Sequence, residues 1–187
     1  MLPYRDYLMI ISPPEHIIKE ISRYKRASVN AIGHFEGMHS TAYITITHQR
    51  RCKPFFVQPA IIRMEEKLFT MPPIELSIKG FDFFEHGSVA RTIYAVIQRT
   101  ERVDNWFKLL TSQMGVKVKN FVPHITIASN IPVSSFNKLW PNFENRDWET
   151  SFNVNSLTIL NRDTFVEYCE WRVYKELFFA NRLKEMF

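Results

Sequence analysis

The sequence predicts an α/β chain of two pseudo-symmetric lobes that pack as one unit. Three observations carry this. Strand-like and helix-like segments follow one another in the order β-α-β-α-β-β-α-β-α-β-β. The stretch Tyr43-Ile44-Thr45-Ile46 of the first half returns in the second as His124-Ile125-Thr126-Ile127. No Gly-, Ser- or Pro-rich linker separates the halves, so the 187 residues are expected to form a single two-lobed domain over 1–187.

Tyr7 to Ser12 is a short apolar run stopped by Pro13-Pro14, as a buried strand would be. Ser12 or Pro13 caps a helix from Pro14, whose Ile17, Ile18, Ile21 and Tyr24 recur at helical spacing with Lys19, Glu20, Arg23 and Lys25 on the other side. Residues 28–40 have two Gly and no period, and predict a loop. Thr41 to Thr47 alternates as a strand. A helix from Val57 to Phe69 ends before Pro72-Pro73, and strands follow at Ile74–Gly80 and Ala90–Ile97, joined by a turn at His86-Gly87. Val103–Met114 is helical and stopped by Gly115. Val122–Ser129 is a strand and Pro132–Trp140 a helix. Phe152–Leu160 and Phe165–Leu177 then close the chain as a hairpin turned by Asn161-Arg162-Asp163.

Composition narrows the function. Apolar residues make up 45% and charged residues 23%, a globular balance. Five glycines, with neither G-x-x-x-x-G-K-[ST] nor G-x-G-x-x-G, exclude a glycine-rich phosphate loop. The net charge of +5 suits a phosphate-bearing partner and equally suits ordinary solubility. Cys52 and Cys169 form no C-x-x-C pair, and there is no carboxylate cluster, so no metal or cofactor is expected. Unpaired thiols and an N-terminal apolar run too short for a signal peptide or a membrane span predict a cytoplasmic protein that does not enter a membrane.

Pro123-His124-Ile125-Thr126-Ile127 carries the chemistry. On a strand, residues i and i+2 share a face, so His124 and Thr126 project together while Ile125 and Ile127 enter the core. An imidazole transfers protons near neutral pH, and a hydroxyl beside it donates to a phosphate oxygen. Alone, H-x-T on a strand is more often structural; its echo in Tyr43 and Thr45 changes the weighing.

That repetition, with the opening strand followed by Pro13-Pro14-Glu15 and the strand Arg91-Thr92-Ile93-Tyr94, resembles the two-histidine phosphoesterase superfamily and its 2'-5' RNA ligase-like, cyclic phosphodiesterase members. The resemblance implies two lobes of mostly antiparallel sheet, helices outside and a central cleft. It implies metal-free acid/base chemistry on RNA ends or small cyclic nucleotides, with one imidazole as base, the other as acid, and two hydroxyls on the nonbridging oxygens. His124 and Thr126 match the second motif and Tyr43 and Thr45 the first, with Tyr43 where histidine is expected. A phenol near its reference pKa is only roughly 0.1% ionised at pH 7, a poor base. His39, in His39-Ser40-Thr41, would have to fold back from its loop to replace it. Arg91 is a candidate phosphate clamp. Lys119, His34 and His48 read as surface residues, His16 and His86 have no assigned role, and Phe35, Phe121 and Tyr94 read as core or as base-stacking platforms. Two functions stay open: an enzyme, and a module that holds a nucleotide phosphate without turning it over.

Overall fold

The computed structural model describes residues 4–117 and 119–181. Its elements are β1 (Arg5–Ile11), α1 (Glu15–Ile32), β2 (Ile44–Cys52), α2 (Pro54–Leu68), β3 (Ile74–His86), β4 (Ala90–Ile97), α3 (Glu101–Gln113), β5 (His124–Pro132), α4 (Val133–Leu139), β6 (Glu149–Val154), β7 (Ser156–Asp163) and β8 (Arg172–Phe178). Two antiparallel sheets result, ordered β2-β1-β7-β8 and β5-β4-β3-β6. Each sheet carries a repeated-motif strand at one edge, β2 or β5. Inside it lies the strand that opens the same βαβ unit, β1 or β4. The matched lobes and antiparallel pairing follow the expectation.

Several boundaries differ from those expected. The α1 helix runs on through Ser28–Ile32, where a loop was expected. Ser28 is fully buried and returns its hydroxyl to the Tyr24 carbonyl, Ile32 packs on the core, and Gly33 at φ 80° provides the stop. The second strand begins at Ile44 and extends to Cys52, because the polar His48–Cys52 stretch pairs with Arg5–Leu8 of β1. The closing hairpin is corrected most. Its first arm is two strands, β6 in one sheet and β7 in the other, and Asn161–Asp163 belong to β7 rather than to a turn. The buried positions change parity at the crossing, from Phe152 and Val154 to Leu157 and Ile159, so each strand turns its apolar side chains into its own sheet's core face.

Those apolar faces form one continuous core. Met9, Ile11, Ile44 and Ile159 from the first sheet join Leu76, Ile93, Ile125 and Ile127 from the second. Helices α1 and α4 cover it on one side, with Tyr24 edge-on to Phe81, Phe143 and Trp148. Helices α2 and α3 cover it elsewhere, where Trp106 meets Phe179 and donates to the Pro72 carbonyl. The strand β1 is buried along nearly its whole length. Its Asp6 accepts bonds from the Arg51 backbone N–H, the Thr164 hydroxyl and Arg162, tying β1 to β2 and to β7. Burial raises the Asp6 carboxyl, but these donors outweigh it and hold it below its ordinary range.

Candidate active site

Strands β2 and β5 are both sheet edges, and they adjoin one another. Burial of Ala42, Ile44 and Ile46 on one side of the first motif leaves Tyr43 and Thr45 on the other. Ile125 and Ile127, both essentially fully buried, likewise leave His124 and Thr126 pointing away from the core. Tyr43, Thr45 and Thr126 line a single cavity of about 230 Å³ between the motif strands, with Lys25, Ser40 and Ser129 on its walls. Tyr43 lies just before β2 rather than on it, and burial raises its phenol above the ordinary tyrosine value.

His124 is set beside Thr126 on the same strand, and its ring packs against Phe84 and Tyr94 with centroids 4.9 and 5.1 Å away. Its Nδ1 lies 2.7 Å from the Val122 carbonyl oxygen. A carbonyl only accepts, so Nδ1 carries the proton, and the neutral ring keeps its lone pair at Nε2. Burial pulls the imidazole below the ordinary histidine value, outweighing the opposing pull of the Val122 carbonyl. The result is a neutral ring at pH 7 with Nε2 able to accept a proton. Tyr94, opposite Thr126 across the ladder, donates toward Asp82 and is pushed up to about 12 by burial and by that carboxylate.

Of the six residues expected from sequence, Tyr43, Thr45 and Thr126 meet on one cavity, and His124 stands two residues from Thr126 on β5 without lining it. His39 lines a neighbouring cavity of about 540 Å³, with Ile10, Leu160, Trp171 and Val173, instead of the one between Thr45 and Thr126. The two cavities share Ser40, Thr41 and Tyr43 along their border. Arg91 is held elsewhere: its guanidinium pairs with Glu85 at 2.9 Å and donates to the Gly87 and Ala90 carbonyls at the β3–β4 turn. His86 bonds Thr92, whose hydroxyl accepts from the Asn130 N–H, and His48 faces Trp171 with its Nε2 buried and unpartnered. Phe121 packs on Phe107, beside a hollow of about 370 Å³ that Pro123 lines but His124, Thr126, Tyr43 and Thr45 do not.

Sequence reasoning missed Lys25 and placed it on the polar side of α1. It is 4% exposed. The spacing held the signal, since Ile17, Ile21 and Lys25 stand at i, i+4 and i+8 on one helix face. Ser129 and the loop residue Ser40 had no comparable signal.

The profile of the 2'-5' RNA ligase superfamily matches residues 13–164, which include both motifs and most of the cavity walls. The chain belongs to the 2'-5' RNA ligase superfamily. Members of this superfamily share the two-histidine phosphoesterase fold, and the solved structures agree. E. coli LigT complexed with NADP+ is similar over 95% of this chain and 99% of its own, with a TM-score of 0.63 and 14% identity. TT0787 of Thermus thermophilus gives 0.65 and 14%, covering 94% of this chain and 98% of its own. Kluyveromyces marxianus Usb1 gives 0.54 and 9%, with 94% and 98% covered. At these identities the likeness is one of fold. Curated proteins give no significant sequence match. Among the described residues of this superfamily member, no helix is long and apolar enough to cross a membrane.

Proposed function

We propose that this protein is a phosphodiesterase of the 2'-5' RNA ligase type, acting on 2',3'-cyclic phosphate RNA ends or small cyclic nucleotides without a metal. The observation that carries the proposal is the meeting of Thr45 and Thr126, from separate sheets, on one cavity. Two facing hydroxyls are suited to the nonbridging oxygens of one phosphodiester. LigT has been solved with phosphate and with 3'-AMP, ligands of the proposed class. In the proposed reaction, neutral His124 takes a proton from water at Nε2 while that water's oxygen bonds to phosphorus. The bond from phosphorus to the 2' or 3' oxygen breaks, and Tyr43 gives its phenolic proton to that leaving oxygen. The raised phenol keeps its proton but releases it reluctantly, so turnover is expected to be slow. In the ligation direction His124 would take its proton from a ribose hydroxyl.

The same phenol favours the second reading, a module that holds a nucleotide phosphate without turnover. Hydrolysis of a 2',3'-cyclic nucleotide by the native protein and its variants separates the two. His124→Ala should abolish whatever rate exists. Tyr43→His should raise it, since a positioned acid or base contributes roughly 10²–10⁴-fold. His39→Ala should change little, because the ring lines the neighbouring cavity. A native rate unaffected by His124→Ala and by a Thr45→Val/Thr126→Val pair would place the chemistry elsewhere and sink the reading.

A further inference from the structure

We propose that Lys25 is the positive charge that receives the phosphate group in the cavity between Thr45 and Thr126; this rests on reading that cavity as the phosphoester site. The Lys25 side chain is 4% exposed, yet its Nζ donates only to neutral oxygens: the Gly37 carbonyl at 3.0 Å, the Ser40 carbonyl at 2.8 Å and the Ser40 hydroxyl at 2.8 Å. Its hydrogen bonds are satisfied while its charge is not, and among the described residues no carboxylate pairs with it. Burial lowers its ammonium to about 8, with no carboxylate acting to raise it. An ammonium taken out of water without a counter-ion is costly, and an arriving anion offsets that cost.

Position makes the anion specific. Lys25 reaches the cavity wall from α1, and the other titratable groups on that wall are Tyr43, which is neutral at pH 7, and Glu36, which is exposed and makes no ion pair with it. His124, on the β5 strand against which α1 packs, is also neutral there. Arg91, the cation expected from sequence, is engaged by Glu85. Lys25 is therefore the sole formal positive charge on the cavity wall among the described residues. The Ser40 hydroxyl, which also donates to Gly37, is the contact that can turn from Nζ toward a phosphate oxygen. Lys25 would then hold the 33–43 loop and the phosphate with the same ammonium.

The test uses the full chain, inorganic phosphate and 3'-AMP as probes. With lysine labelled at Cε, saturating phosphate should raise the titration midpoint of Lys25 by one unit or more, equivalent to at least tenfold preference for the charged form. Lys25→Met should weaken phosphate and 3'-AMP by tenfold or more, and Lys25→Arg should recover part of the loss. The measurement on the native protein does not depend on either variant folding. If phosphate binds, Thr45→Val/Thr126→Val weakens it, and yet the Lys25 midpoint stays where it was, the role of Lys25 is overturned and the site stands. If neither probe binds the native protein, or the Thr pair leaves their affinity unchanged, the site itself fails and the role of Lys25 falls with it.

Discussion

Lys25 has a cost in stability that sets its own pH signature. Its folded value of about 8 lies below the roughly 10.4 of an unfolded lysine. Between these values the unfolded chain binds the proton more tightly, so stability rises with pH across that window. Above pH 10 the buried tyrosines Tyr7, Tyr24 and Tyr94 and the half-buried Tyr43, all raised in the fold, act oppositely, since their contribution is lost as they ionise. Thermal melts from pH 8 to 9.5 should therefore show the native protein gaining about 1–2 kcal/mol from Lys25, and Lys25→Met should lose that gain, leaving only the opposing slope of the Cys52 thiol, which burial raises. A native profile with the same slope as the variant's would mean that the ammonium is solvated. Individual residues were unequally legible. His124 and Thr126 announced themselves because alternation on a strand fixes which side chains share a face. Lys25 did not, because a lysine among Lys19, Glu20 and Arg23 is ordinarily solvated, and only the packing of α1 on β5 and the loop at Gly37 and Ser40 bury it.

Secondary elements were legible wherever an apolar period was long. The β1 run, the α3 stripe of Val103, Trp106, Phe107 and Leu110, and the β5 alternation all stand where expected. Their ends and partners were less so. Nothing local in Phe152–Leu160 states that two strands join different sheets, although the parity change at Asn155 records it. A second hidden partnership is Thr92 on β4. Its hydroxyl bonds His86 at the end of β3 and accepts from the Asn130 N–H on β5, where Asn130 sits at φ 49°. One buried oxygen thus fixes three strands beside the edge that carries the second motif. Thr92→Val keeps the shape but leaves those groups unpaired, and should cost about 1–3 kcal/mol in urea unfolding. A cost within error of zero would show that water replaces the hydroxyl.

The molecule as a whole divides unevenly along the chain. One sheet uses β3 to β6, all within residues 74–154, whereas the other joins β1 and β2 to β7 and β8. The Asn155 crossing sends the chain back to complete a lobe whose first strands lie more than a hundred residues earlier. Closing that loop carries an entropy cost that the contiguous sheet does not bear. On refolding, amides of β3, β4 and β5 should gain protection from hydrogen exchange before those of β1 and β7, as pulse labelling would show; simultaneous protection would contradict this order. During synthesis the asymmetry is sharper. A ribosome delivering this chain can release a finished second lobe while β1, apolar on both sides, still waits for the strand that will cover one of its edges. The first lobe is begun first and completed last, and a nascent protein that has not yet emerged through β7 carries His124 and Thr126 on a finished sheet but lacks the completed wall opposite them.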